Sequence, residues 1–156
     1  CIGGIVIATA VLGLDAYRYI GLGIPDILRA FHAPVRPWDF LGKLLFTATS
    51  VGSGFKGGEV TPLFYIGATL GNALAPLLHM PLAMMAGLGF VAVFAGAANT
   101  PITTILMALE LFSAQIGPFA AIACVSAYLC SGHAGIYQAQ RIGRSKHRLH
   151  RQAGQP

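Results

Sequence analysis

Apolar runs alternate with proline, glycine and charge along the chain. Residues 1–14 are apolar and read as the end of a helix. Residues 15–39 hold Asp15, Arg18, Asp26, Arg29, Arg36 and Asp39, together with Pro25, Pro34 and Pro37. This pattern predicts a connecting region with a short helix near 25–31. The next apolar run predicts a helix over 40–50, ending in the glycine-rich turn Val51-Gly52-Ser53-Gly54-Phe55-Lys56-Gly57-Gly58. Four later apolar runs each begin at a proline: Pro62, Pro81, Pro101 and Pro118. Proline suits the first helical position, where its missing N–H would be unpaired anyway. The predicted helices are 62–75, 81–98, 101–114 and 118–131. Thr61 and Thr100 precede two of these prolines and fit the N-cap role. A last short helix is predicted from near Gly135 into the tail.

A fourteen-residue helix spans roughly 21 Å, against a hydrocarbon core of about 30 Å. Three of the four proline-started segments are therefore too short to cross a bilayer alone. Short, tilted or broken helices suit a channel or transporter, because broken ends are tolerated where protein or an aqueous cavity covers them. Composition agrees. The chain is 55% hydrophobic and 10% charged, where a soluble domain carries about 25% charge. These values exclude a soluble enzyme, a disordered chain and a nucleic-acid-binding domain, and predict an all-α polytopic membrane protein. Gly67-Ala68-Thr69-Leu70-Gly71 adds a GxxxG stretch, read as tight packing within the subunit.

Charge placement orients the chain. Five of the ten basic residues are Arg141, Arg144, Lys146, Arg148 and Arg151, and the chain before them is neutral overall. A membrane domain over 1–140 and a basic tail over 141–156 follow, with the tail cytoplasmic by the positive-inside rule and able to touch anionic lipid. No nucleic-acid partner is implied. Cys1, Cys124 and Cys130 form no metal or disulfide pattern and read as small buried hydrophobes. The chain starts at Cys1, inside an apolar run, and reads as a piece of a longer protein cut at its N-terminus.

Between Lys56 and Arg141 the only formally charged side chains are Glu59 and Glu110. Glu59 lies in Gly57-Gly58-Glu59-Val60-Thr61-Pro62. There two glycines let the backbone approach a small ligand, and a helix N-terminus offers unpaired N–H groups to an anion. An acid inside a membrane segment is expensive and marks function. Glu59 fits two roles: proton exchange, or a carboxylate that satisfies helix N–H groups beside water. The Thr61 hydroxyl fits an N-cap, proton transfer or anion contact. Glu110 reads as a structural residue, capping or pairing at a helix end. Tyr137 follows glycines and supplies either a neutral donor for an anion or an interfacial aromatic anchor. His133 has no partner spaced for a metal, and His147 and His150 sit in the basic tail. No nucleotide-binding, Ser/His/Asp or zinc motif is present, and neither an enzyme nor a cofactor is predicted.

The stretch Gly58-Glu59-Val60-Thr61-Pro62 resembles the Gly-x-Phe-x-Pro motif of CLC chloride channels and anion/proton antiporters, with Val60 in place of Phe. Ala97-Ala98-Asn99-Thr100-Pro101 and Leu109-Glu110 also resemble the second half of a CLC subunit. Tyr137 matches the family's anion-coordinating tyrosine. The form Gly-Gly-Glu-Val-Thr-Pro is similar to the fluoride/proton antiporter branch. The resemblance implies the second of two inverted repeats of a bacterial CLC-type transporter. It implies anion binding by Gly58, the Val60 amide and the Tyr137 hydroxyl, and an ion and proton path through Glu59 and Thr61. It further implies fluoride or chloride and protons as partners, a homodimer and a multi-pass inner-membrane location. The first repeat, with its gating glutamate, would lie outside this chain. A chloride-selective member of the family is the near alternative. A non-transporting membrane scaffold is the alternative of another class, in which Glu59 faces bulk water or headgroups.

Overall fold

The computed structural model describes residues 4, 8, 9, 11–13, 16–55, 57–132 and 135–137. Residues 4, 8, 9 and 11–13 are helical. After the 3-10 turn Tyr17–Tyr19 come α1 (Ile24–His32), α2 (Asp39–Gly52), α3 (Val60–Leu78), α4 (Leu82–Ala98) and α5 (Pro101–Phe112). The 3-10 turn Ala114–Ile116 then leads into α6 (Gly117–Cys130). No strand occurs among the described residues. Cys1, His133, His147, His150, the basic tail and most of the predicted last helix lie outside the described residues. Gly135, Ile136 and Tyr137 are described and are not helical.

The short helix expected near 25–31 is α1. It starts from Gly23, whose φ of 69° is left-handed and whose missing Cβ makes room for the Tyr65 ring. Its buried Ile27 and Ala30 pack on Tyr65 and Ala68 of α3. Asn72 of α3 closes the end of α1. Its Nδ2 donates to the carbonyls of Ala30 (2.7 Å) and Ala33 (2.9 Å), and its Oδ1 accepts from the Val35 amide (3.1 Å). The last carbonyls of a helix need such partners when buried.

The tightest packing joins α3 to α4. A Cβ on Gly67 would meet the Gly89 carbonyl, one on Gly71 the Met85 carbonyl, and one on Gly89 the Gly67 carbonyl. The small residues thus serve backbone contact within one chain. A second core joins α4, α5 and α6 through Val91, Ala95, Ala108, Ala120 and Cys124. Phe90 stacks on Phe64 at 4.1 Å between centroids and meets Phe112 edge-on at 5.9 Å, tying the two cores together.

Four expectations are corrected. The N-cap of α3 is Glu59, so Thr61 is the second helical residue and caps nothing. The helix runs to Leu78 instead of stopping before Pro76. Pro76 removes only the bond to the Asn72 carbonyl in the last turn, and His79, in a left-handed conformation, closes the end by donating to Ala75. Glu110 is exposed, and among the described residues it neither caps nor pairs. The cysteines divide: Cys124 is buried as expected, and Cys130 is exposed.

Candidate functional site

The α3 N-terminus carries the site. Gly57 and Gly58 lead into the N-cap Glu59, and the first helical residues are Val60, Thr61 and Pro62. No side chain caps this end. The Val60 and Thr61 amides precede the first i to i−4 bond, which runs from the Leu63 amide to the Glu59 carbonyl at 3.4 Å. These two N–H groups and the positive end of the helix dipole are therefore open to an anion. Neither Gly57 nor Gly58 has a positive φ, and a Cβ at either would meet nothing within 4 Å. Packing does not demand glycine here. What the two glycines do is leave the peptide edge uncovered.

This end borders a cavity of about 290 Å³, lined in part by Gly58, Glu59 and Pro62. Lys43 and Phe46 of α2 and the strap of residues 19–22 line the same cavity. Glu59 is half-buried and unpaired among the described residues. Val60 and Thr61 are half-buried behind the cavity edge and are not among its lining residues. Tyr137 is also outside the lining. Its segment is tied to the end of α4 by the Ile136 amide, which donates to the Ala97 carbonyl at 3.0 Å, and its side chain is half exposed.

A polar network holds the strap. Arg18 pairs with Asp26 at 3.3 Å and with Asp39 at 3.2 Å. The Tyr19 hydroxyl donates to Asp39 at 2.9 Å, and the Tyr19 ring fills the space that a Cβ on Gly42 would occupy. Burial pulls the Arg18 pKa down, but Asp39 and Asp26 outweigh it and the net shift is upward. Burial, then the bond to Asp39, pushes the Tyr19 pKa up. Sequence reasoning missed this network and Lys43. Asp39 and Lys43 are 1% and 2% exposed, although both lie in or beside a run read as plainly apolar. The argument that singled out Glu59, a charge within an apolar segment, applies equally to Lys43.

Residues 1–132 match the family model described as voltage gated chloride channel. The chain belongs to that family, the CLC family. A curated relative from Pseudomonas syringae pv. tomato (strain ATCC BAA-871 / DC3000), named chloride/fluoride channel protein, is 66% identical over 151 residues. That match covers 93% of this chain and 33% of the relative. A crystal structure of a CLC-type fluoride/proton antiporter superposes with a TM-score of 0.83 at 40% identity, over 88% of this chain and 35% of that one. This CLC chain therefore spans about a third of the length of both relatives. Its all-helical architecture is that of the CLC transporter fold, and it is a multi-pass membrane protein, as its family is.

Proposed function

We propose that this chain is the C-terminal part of a bacterial CLC-type transporter that exports fluoride in exchange for inward protons. The observation that carries the reading is the placement of Glu59 and Gly58 on one cavity at the uncapped N-terminus of α3. Fluoride is small and strongly hydrated, so it leaves water only where several N–H or O–H donors replace its shell. The Val60 and Thr61 amides are such donors, and the exposed Gly58 peptide lets the ion come close. The Tyr137 hydroxyl is assigned a further anion contact by analogy with the family's tyrosine alone, since its side chain does not line this cavity.

Glu59 supplies the link to protons. Ionised, it repels an anion at the same helix end; protonated, it does not. The protonation state of Glu59 therefore controls whether an anion occupies this helix end, which is the link that exchange needs. Thr61, one turn position on, offers a hydroxyl to pass a proton or touch the ion. The full transporter works as a homodimer with one pathway per subunit, in the inner membrane, with the C-terminus in the cytoplasm. It uses no cofactor and catalyses no covalent chemistry. Both relatives' names include fluoride, and the curated one also includes chloride. Chloride transport by the same cavity is thus the second reading.

The test uses the full-length transporter containing this chain, reconstituted in liposomes. Fluoride and chloride efflux are measured with proton uptake for wild type and Glu59→Gln. Wild type is expected to favour fluoride and to take up protons as fluoride leaves. Glu59→Gln, which cannot ionise, is expected to lose coupled exchange by more than about tenfold. Equal chloride and fluoride efflux, with no effect of Glu59→Gln, would remove the assignment.

A further inference from the structure

Lys43 is the buried cation that the reading above leaves unused. It sits on the second turn of α2 at 2% exposure. Its Nζ donates to the carbonyls of Tyr19 (2.9 Å) and Gly21 (2.6 Å) and lies 5.2 Å from the centroid of the Tyr65 ring. None of these partners carries a charge. The acids nearest the strap, Asp26 and Asp39, are both taken by Arg18. Lys43 forms no ion pair among the described residues, and a buried ammonium held only by dipoles and a ring is expensive. Two carbonyls use two of its three N–H donors. The same residue lines the cavity that Gly58 and Glu59 also line.

We propose that Lys43 is an anion-binding residue of this cavity, supplying the fixed positive charge that holds a small hard monovalent anion, fluoride foremost, in the cavity at the α3 N-terminus. The proposal deepens the function given above and rests on it. Three features support it. The charge lines the same cavity that the α3 N-terminus borders, so an ion in that cavity is attracted by both. Lys43 is buried at 2% exposure, so its field is poorly screened by salt. Its ammonium also pins residues 19–22, which keeps the wall in place and the charge from swinging out to water. Arginine is not equivalent at such a seat in shape, but it keeps the charge. Glutamine keeps N–H donors for the two carbonyls and loses the charge.

The experiment measures fluoride efflux against fluoride concentration for the full-length protein with Lys43→Gln, Lys43→Met and Lys43→Arg. Fluoride titration calorimetry on the same proteins in detergent accompanies it. Lys43→Gln is expected to raise half-saturating fluoride by about tenfold or more, the range of a hydrogen bond to a charged group, with a smaller change in maximal rate. That difference should persist when inert salt is raised. Lys43→Met is expected to lower the maximal rate as well, because the strap loses its anchor. Lys43→Arg should stay near wild type. Lys43→Gln with wild-type half-saturation in both assays would overturn the proposal, leaving Lys43 a wall anchor only. If neither neutral variant is monodisperse, Lys43→Arg decides: wild-type half-saturation supports the role of charge, and a tenfold loss overturns it. A wild-type protein that moves no fluoride overturns the functional reading instead, and calorimetry still tests Lys43 as an anion ligand.

Discussion

Single charges in this molecule are informative only once their partners are known. Glu59 and Glu110 look alike in sequence, each isolated in an apolar stretch. The fold puts Glu59 on a cavity at a helix N-terminus and leaves Glu110 on the exposed last turn of α5. Tyr19 shows the same dependence on context. Its hydroxyl faces Asp39, with Arg18 and Arg36 close enough to affect it, and its pKa is raised above the usual 10 by burial and by the bond to Asp39. The folded chain therefore holds the Tyr19 proton where the unfolded chain releases it. The resulting stability is present below pH about 10 and is lost as pH rises beyond it. Tyr19→Phe should melt lower at neutral pH, by about 1 kcal/mol for the lost hydrogen bond. It should also lack this alkaline decline, so its gap to wild type should narrow as pH is raised above about 10. Thermal melts of the detergent-solubilised protein across that range check this. A gap that stays constant would show that Tyr19 does not retain its proton.

At the scale of elements, helix starts were far more legible than helix ends. Proline at or near an N-terminus marked α4, α5 and α6 to within one residue, because that position tolerates a missing N–H. The end of α3 was read too early because Pro76 resembles a stop signal. The burial of Ala75 and Asn72 against neighbouring elements outweighs one lost backbone bond. The site was legible at Gly58, Glu59 and their helix start, since those residues are contiguous. The strap network was not, because Arg18, Asp26 and Asp39 meet only after α1 has folded back. The GxxxG reading, by contrast, has direct geometry behind it. A methyl on Gly71 would drive into the Met85 carbonyl, and backbone cannot move aside as a flexible side chain can. Gly71→Ala should therefore destabilise the protein by about 1–3 kcal/mol, the range for overpacking. Gly52→Ala, whose added methyl would meet nothing within 4 Å, should change stability little. Size-exclusion chromatography after graded heating separates these cases. An unshifted Gly71→Ala would show that α3 and α4 do not cross through this seam.

The molecule as a whole is built to be surrounded. Large apolar side chains point outward along α5 and α6, including Ile102, Leu106 and Ile122, and Leu77 does so at the end of α3. Only α3, among the described helices, is long and apolar enough to cross a membrane by itself. At about 1.5 Å per residue, its 19 residues nearly match a hydrocarbon core of about 30 Å. The shorter helices must therefore share the bilayer, with their ends covered by protein. Apolar faces fix where the chain resides but not which way it faces, because an outward isoleucine meets the same lipid in either orientation. The proposed orientation rests on the uneven charge. Arg141, Arg144, Lys146, Arg148 and Arg151 follow the apolar region directly, while the chain before them carries no net charge. Moving five cations across the membrane is opposed by the potential that holds positive segments inside. A green fluorescent protein fused after Pro156 of the full-length protein should therefore fluoresce in bacteria, because it matures in the cytoplasm. Alkaline phosphatase at the same point should be inactive, because it needs the periplasm to form its disulfides. Neutralising the five tail residues should weaken this bias and produce a mixed population. Active phosphatase on the wild-type tail would place it outside, and would also reverse the side from which the proposed exchange draws its protons.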